Sequence, residues 1–304
     1  MNARPVVVWR LLDGKPGHEN QTRGLVRALG RHRALVVHDQ PVPARAAALR
    51  DALLGRWSPG VGLPDPDLLL GAGHATHLPL LAARRARGGR CVVLMRPSLP
   101  LAWFDLCLIP RHDDPPARSN VLATRGVLNA IEPSTGQDPD AGLLLIGGPS
   151  RHHGWDRDGL LAQLRAIVGR DTRRWQLTTS RRTPEDTERA LRERAVPGPE
   201  VVPWRETDRD WLPRRLRRAA VVWITADSVS MVYESLTAGA ACGLLAVPEH
   251  RPGRVVRGIA ELQAEGLITP FDAWARGAAL RPPAVPFDEA RRCADWIAHR
   301  WLNG

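Results

Sequence analysis

The chain has 304 residues, four cysteines and a formal net charge of +11, and 43% of its residues are hydrophobic. This length suits two domains of ordinary size, and the apolar content excludes an intrinsically disordered chain. No apolar run approaches the roughly 20 residues that a membrane-spanning helix needs. The first residues enter a strand-like run without a signal-peptide pattern, so we expect a cytoplasmic protein.

Strands and helices alternate in the first half of the chain. The predicted strands cover 6–12, 34–38, 68–70, 91–95, 106–109 and 120–124, and the predicted helices cover 19–29, 43–54 and 75–87. This alternation predicts an α/β fold with a parallel sheet between two layers of helices. Polar or glycine-rich residues recur where the strands end, as a ligand crevice at the carboxyl edge of the sheet requires.

The same alternation restarts after a linker candidate at 132–140, EPSTGQDPD. The later predicted strands cover 143–146, 175–178, 201–204, 221–224 and 243–247, and the later helices cover 156–168, 184–194, 208–218, 254–265 and 288–302. We therefore predict a first domain at 1–131, a second domain at 141–286 and a C-terminal helix within 287–304 that packs back on the first domain.

The stretch 224–245, ITADSVSMVYESLTAGAACGLL, is the strongest candidate for a ligand site. Asp227 or Ser228 can cap the helix that follows the strand, and Gly239 can end it. The N–H groups of a first helical turn and the helix dipole favour an anion such as phosphate. Glu234 lies two turns beyond Asp227, where its carboxylate could accept hydrogen bonds from a ribose. A purely structural unit with a capped helix and a solvated glutamate fits the spacing equally well.

A second polar loop, DGKPGH at 13–18, follows the first predicted strand. It lacks the spacing of a Walker A loop. His18 could act as a base or contact phosphate, or it could be a solvated residue at a helix start. Lys15 is the only lysine in the chain, so its compact ammonium group could be required, for example to neutralise phosphate; chance survival is the alternative.

The sequence gives little support for a disulfide framework, a metal site or nucleic-acid binding. The cysteines form no CxxC pair and three of them sit in apolar runs, which predicts buried thiols. His74 and His77 have no third ligand nearby, so we expect no metal site there. The short arginine clusters accompany no zinc-finger or RNP motif, so we do not expect nucleic acid as a partner.

Four segments together resemble a known family. DGKPGHENQT, RPSLPLAWFDLCLIPRHD, LLIGGPS and ITADSVSMVYESLTAG occur in order along most of the chain. They resemble the mitochondrial-fission ELM family, which is classed with the glycosyltransferases and is similar to GT-B enzymes such as the peptidoglycan N-acetylglucosaminyltransferases. The resemblance implies two Rossmann-like domains whose parallel sheets face a central cleft. It also implies a nucleotide-sugar held mainly by the C-terminal domain, and no bound metal or other cofactor.

The resemblance also implies roles for individual residues. The candidate donor-binding residues are Gly14 and Gly17 of the first loop together with Gly147, Gly148, Ser150, Thr225, Asp227, Ser228, Met231 and Glu234. The glycine turn would approach the diphosphate, the start of the last motif would line the diphosphate and the sugar, and Glu234 would take the ribose hydroxyls. His18 matches a loop histidine of the peptidoglycan enzymes and is the first candidate base. Asp13 is the second candidate, with Lys15 beside the phosphates.

The sequence thus predicts a metal-independent glycosyltransferase that moves a sugar from a nucleotide-diphosphate sugar to an acceptor hydroxyl. A cell-envelope or lipid-linked glycan is the expected acceptor, and the positive charge suits peripheral contact with the anionic inner membrane face. The alternative is a non-catalytic adaptor on the same fold, because plant members of the family recruit a dynamin-like protein to mitochondria. An epimerase or a hydrolase also stays open, since a fold does not fix the chemistry.

Overall fold

The computed structural model describes residues 4–250 and 253–302. The chain divides into two compact units: unit 1 is Met1–Ala130 with Glu289–Gly304, and unit 2 is Ile131–Asp288. Each unit contains one six-stranded sheet in which the neighbouring strands are parallel. The prediction of an α/β fold with two parallel sheets is confirmed.

Unit 1 begins with six strands and three helices. Its strands are β1 (Val6–Leu12), β2 (Leu35–Pro41), β3 (Leu68–Ala72), β4 (Arg90–Leu94), β5 (Leu106–Pro110) and β6 (Val121–Thr124), and its first helices are α1 (Pro16–Leu29), α2 (Arg45–Leu54) and α3 (His77–Arg87). The strands lie in the order β2-β1-β3-β4-β5-β6. Val6 and Val8 of β1 contribute to one core, and Val7 and Trp9 contribute to a second core. Successive side chains point to opposite faces of a sheet, so a parallel sheet covered on both faces needs strands that are apolar throughout.

Unit 2 repeats this plan with a different strand order. Its strands are β7 (Asp138–Leu145), β8 (Arg174–Thr178), β9 (Glu200–Val202), β10 (Ala219–Thr225), β11 (Ala241–Leu245) and β12 (Ile268–Pro270). Its helices are α4 (Arg157–Arg170), α5 (Glu185–Arg192), α6 (Trp211–Arg218), α7 (Val229–Ala238), α8 (Arg254–Ala264) and α9 (Phe271–Ala275). The sheet order is β12-β11-β10-β7-β8-β9. Leu144, Ile146 and Trp223 pack with Leu164 of α4 in a buried core.

Among the differences from the predicted elements, three have clear physical reasons. The predicted linker ends earlier, because β7 already starts at Asp138 and pairs there with Ala219 through backbone groups that do not depend on side-chain polarity. Helix α1 starts at Pro16, since proline lacks the N–H that a first helical residue leaves unused. The pair β12 and α9 was not predicted, because three and five residues are too few to show a period.

The end of the chain returns to unit 1. Helix α10 (Glu289–Ile297) and the π-helical turn Ala298–Leu302 belong to this unit, and Cys293 and Ile297 lie in its core. The buried Glu289 carboxylate accepts a hydrogen bond from the Arg125 backbone N–H at 2.9 Å and pairs with Arg292 at 2.6 Å. The first and last segments of the sequence therefore form one core.

All four cysteines are free and buried, and three of them are those that the apolar runs predicted to be buried. Burial raises the pKa of the Cys107 thiol to about 12, so this thiol stays protonated at neutral pH. None of the helices in the described part of the chain combines the length and the apolarity that crossing a bilayer would require.

Candidate functional site

In both sheets, predicted site residues lie at a topological switch point, which is the place where the strand order reverses direction. In unit 1, β1 lies between β2 and β3, and in unit 2, β7 lies between β8 and β10. The order in unit 2 is that of the dinucleotide-binding fold. Ligands of open α/β sheets bind outside the carboxyl ends of the strands at such points. The loops after β1 and β3, and those after β7 and β10, are therefore the expected ligand positions.

In unit 1, a buried carboxylate holds a histidine at the carboxyl end of β1. Asp13 Oδ2 and His18 Nδ1 are 2.8 Å apart, and the side chains are 2% and 22% exposed respectively. We assign the tautomer in which Nδ1–H donates to the carboxylate, because an ionised carboxylate can only accept. The lone pair of Nε2 is then available, so the pair has the arrangement of a general base and its orienting group.

The loop after β3 leaves room for the His18 ring. Gly73 has a φ of 84°, and a Cβ at this position would lie 2.3 Å from two ring atoms of His18. Both the backbone conformation and the close approach require glycine. Gly73 was not among the predicted site residues, although the Gly-Ala-Gly-His segment at the end of the third predicted strand is typical of a close backbone approach.

His77, the first residue of α3, is a satisfied core histidine. Its Nδ1 accepts the Ser98 backbone N–H at 3.3 Å and lies 3.0 Å from Ser98 Oγ, and its ring packs edge-on against Phe104. Burial, with smaller contributions from the nearby His74 and His18, lowers the pKa of His77 to about 4. His74 is exposed. Within residues 4–250 and 253–302, no group of three or more His, Cys, Asp or Glu side chains could hold a metal ion.

The other predicted residues of the first loop lie on its exposed side. Gly17 belongs to the first turn of α1 rather than to the loop, contrary to the prediction, because the helix begins earlier. No atom lies within 4 Å of the Cβ position of Gly14 or Gly17. Lys15 is exposed, and its backbone N–H donates to Asp13 Oδ1 at 3.2 Å. Donor binding by the glycines and phosphate neutralisation by Lys15 stay predictions.

In unit 2, the glycine turn after β7 packs directly against the loop after β10. The Gly147 N–H donates to Thr225 Oγ1 at 2.8 Å, and the Gly148 N–H donates to Asp227 Oδ2 at 3.1 Å. A Cβ on Gly147 would lie 2.2 Å from Asp227 Oδ2 and from Ser228 Oγ. The structure thus brings the predicted residues together. Their two backbone N–H groups are bound to the protein, however, and are not open to a diphosphate.

Asp227 also binds Arg182, a residue that the sequence analysis did not single out. Arg182 Nη2 donates to Asp227 Oδ2 at 2.6 Å, and Nη1 donates to the Gly148 carbonyl at 2.7 Å. The Asp227 side chain is 0% exposed and that of Arg182 is 43% exposed. Arg182 comes shortly after β8 in the segment TTSRRT. The pair of arginines just after a predicted buried strand was the sequence feature that could have pointed to Arg182.

Helix α7 begins at Val229, and neither predicted cap residue caps it. The Ser228 hydroxyl donates to Asp227 Oδ2 at 2.9 Å, and its oxygen accepts no hydrogen bond from the first turn of α7. Asp227 precedes the helix, so the helical spacing inferred between Asp227 and Glu234 is wrong. The uncapped first turn keeps the N–H groups and the positive dipole end that favour an anion.

The remaining predicted donor residues lie on α7 and in the loop after β7. Met231 and Glu234 are half-buried on α7, three residues apart and so on neighbouring positions of one face. Ser150 Oγ accepts the His153 backbone N–H at 3.1 Å and closes a turn. Burial lowers the pKa of His153, and the negative charge of Asp227 partly offsets this effect.

The family model described as Mitochondrial fission ELM1 matches residues 16–301. The chain belongs to this family. No curated protein sequence is significantly similar to this member of the family.

Solved structures that resemble this ELM1-family chain include epimerases and glycosyltransferases. A Listeria monocytogenes structure, described as a candidate UDP-N-acetylglucosamine 2-epimerase, has a TM-score of 0.63 and 13% identity and covers 99% of this chain and 98% of that chain. A UDP-glucosyltransferase from Polygonum tinctorium has a TM-score of 0.56 and 9% identity, with 99% and 100% covered. The UDP-GlcNAc 2-epimerase from Neisseria meningitidis, bound to UDP-GlcNAc, has a TM-score of 0.53 and 9% identity, with 98% and 100% covered. At these identities the likeness shows the fold, which is the GT-B fold of two Rossmann-like domains.

The buried His77 predicts a specific pH dependence of stability. Its pKa is about 4 in the folded protein and 6.5 in the reference state, so the unfolded chain binds a proton that the folded chain does not. The free energy of unfolding therefore falls as the pH falls from 6.5 to 4, by up to about 3 kcal/mol.

His77→Asn keeps an acceptor for Ser98 without titrating. Urea unfolding at pH 7 and pH 4.5 should therefore show a smaller loss of unfolding free energy in this variant than in the wild-type protein. His299→Asn, at an exposed position in the turn Ala298–Leu302, is the matched control. An unchanged loss in His77→Asn would contradict this account.

Proposed function

We propose that this chain is a glycosyltransferase that moves a sugar from a nucleotide-diphosphate sugar to an acceptor hydroxyl. The proposal is carried by one observation: the switch point of each unit holds a buried carboxylate with a basic partner. These pairs are Asp13 with His18, and Asp227 with Arg182 beside the uncapped start of α7. Membership of the ELM1 family and the GT-B fold support the proposal. Neighbours described with UDP-GlcNAc or as a UDP-glucosyltransferase support UDP-sugars as the first donor class to test.

His18 supplies the base of the proposed reaction. As the acceptor oxygen attacks the anomeric carbon, His18 Nε2 takes the hydroxyl proton. The new carbon–oxygen bond forms while the bond from the anomeric carbon to the diphosphate oxygen breaks, and its electron pair leaves with the diphosphate. Asp13 holds the ring in orientation and stabilises the imidazolium without taking the proton itself.

Unit 2 holds the donor in this proposal. The diphosphate lies at the first turn of α7, where free N–H groups and the helix dipole offset the charge that develops on the leaving group. Glu234 accepts hydrogen bonds from the ribose hydroxyls, and Met231 lines the sugar side. The glycine turn at 147–148 shapes the site but does not donate its N–H groups to phosphate, because Thr225 and Asp227 accept them.

Single-residue variants should change turnover and UDP binding independently of each other. Release of UDP from UDP-glucose and UDP-GlcNAc in the presence of an acceptor panel measures turnover, and calorimetry measures UDP affinity. His18→Ala should lower turnover by about 10²- to 10⁴-fold with UDP affinity unchanged, whereas Glu234→Ala should weaken UDP binding. His32→Ala is the matched control, since His32 also bonds an aspartate, Asp295, at 2.8 Å but lies away from the switch point.

Three other outcomes of this assay would contradict the proposal. Unchanged turnover in His18→Ala and Glu234→Ala would refute the assigned site. Epimerisation of the donor sugar without transfer would make the chain a nucleotide-sugar epimerase. If no nucleotide binds and the protein is recovered in a stable complex, the chain is a non-catalytic adaptor.

A lipid-linked or cell-envelope glycan is the proposed acceptor class. The net charge of +11 would draw the protein to an anionic membrane surface, where such acceptors are displayed. Sedimentation with vesicles should therefore recover more protein on 30% phosphatidylglycerol than on pure phosphatidylcholine, with the difference lost at high salt. Equal recovery on both kinds of vesicle would contradict the proposed contact with an anionic membrane.

A further inference from the structure

Arg182 connects three loops at the carboxyl edge of the unit 2 sheet. It follows β8, and its Nη1 donates to the carbonyls of Gly148 at 2.7 Å and Pro149 at 3.2 Å, both in the loop after β7. Its Nη2 donates to Asp227 Oδ2 at 2.6 Å and to Ser228 Oγ at 3.3 Å, both in the loop after β10. One planar guanidinium group therefore connects the loops after β7 and β10 to the segment that follows β8.

The buried Asp227 carboxylate requires Arg182 as its charge partner. Its Oδ2 accepts three hydrogen bonds, from Gly148 N–H, the Ser228 hydroxyl and Arg182, while its Oδ1 has no hydrogen-bond partner among the described residues. A buried charge is costly unless it is paired and hydrogen-bonded. Without Arg182, an uncompensated negative charge would stay next to the start of α7 and would repel an anion.

We infer that Arg182 is the positioning residue of the nucleotide site. It fixes the glycine turn against the start of α7 and cancels the charge of Asp227, so that a nucleoside diphosphate can approach the first turn of the helix. All four terminal guanidinium N–H groups point to protein acceptors. Arg182 therefore acts through the loops rather than by binding a phosphate oxygen. This inference rests on the proposed function, because it concerns the same nucleotide site.

The effect of Asp227→Asn separates this role from direct phosphate binding. If Arg182 bound the phosphates itself, removing the Asp227 charge would release the guanidinium and tighten diphosphate binding. If Arg182 and Asp227 position the loops together, the same change loosens the connection, and this loss exceeds the gain from removing a charge that Arg182 already neutralises, so binding weakens. The two roles thus predict opposite signs for one substitution.

The test is a calorimetric titration with UDP, ADP and GDP and with the three corresponding nucleosides. Arg182→Gln should weaken the tightest diphosphate by at least about tenfold and change nucleoside affinity by less than about threefold, because the nucleoside carries no charge. Arg182→Lys should not restore binding, since one ammonium group cannot replace a planar fork. Arg181→Gln is the matched control: it removes the same charge from the adjacent residue, which stacks on Trp204. Thermal unfolding of each variant shows that it is folded.

The combined variant completes the test. Asp227→Asn should weaken diphosphate binding, and Arg182→Gln with Asp227→Asn should bind no more weakly than Arg182→Gln alone, because both changes break one connection. Tighter binding by Asp227→Asn, additive losses, or unchanged binding by Arg182→Gln would overturn the inference and leave the proposed function standing. If the wild-type protein binds none of the three diphosphates, the proposed nucleotide site fails and the inference fails with it.

Discussion

Burial of both faces of a parallel sheet is the constraint on which the rest of this structure depends. Helices pack on each sheet, so inner strands such as β3, β5 and β11 are buried at every residue, and the candidate site side chains follow the ends of strands. The strands within a sheet run the same way, and their carboxyl ends therefore meet at one edge. This places Asp13 and His18 at the edge of one sheet, and Asp227 and Arg182 at the edge of the other. The positions of the candidate site residues thus follow from the same rule that builds the cores.

The two units use the same electrostatic arrangement for different tasks. In each, an aspartate with an almost fully buried side chain follows a central strand and orients a more exposed basic group, His18 in unit 1 and Arg182 in unit 2. A buried carboxylate must keep its hydrogen-bond partners, so it holds the basic group in one orientation. A histidine held this way exposes a proton acceptor, whereas an arginine held this way connects loops. The proposed base catalysis and the proposed loop positioning thus arise from one kind of pair.

The sequence predicted the parts of the site that depend on local pattern. Apolar runs located the strands, and the polar residues after them placed the Asp13–His18 loop and the loops carrying Gly147 and Asp227 at strand ends, as the structure has them. That these loops bind a ligand stays a prediction. Arg182 was missed because it is 45 residues from Asp227 and comes from a different strand end, and no local spacing encodes that contact. The helix cap was predicted wrongly because the Ser228 hydroxyl donates to the neighbouring Asp227 carboxylate, which long-range contacts with Gly148 and Arg182 hold in place. Tertiary contacts decided these points.

The central claim is that the switch point of unit 2 binds a nucleoside diphosphate. Amide hydrogen exchange with and without saturating UDP, ADP or GDP tests it most directly, because a ligand slows exchange where it orders the backbone. The account predicts protection of peptides covering 146–154 and 225–236, with unchanged exchange at the opposite ends of the same strands, 138–142 and 215–220. Protection confined to other segments, or no protection with any of the three nucleotides, would contradict it.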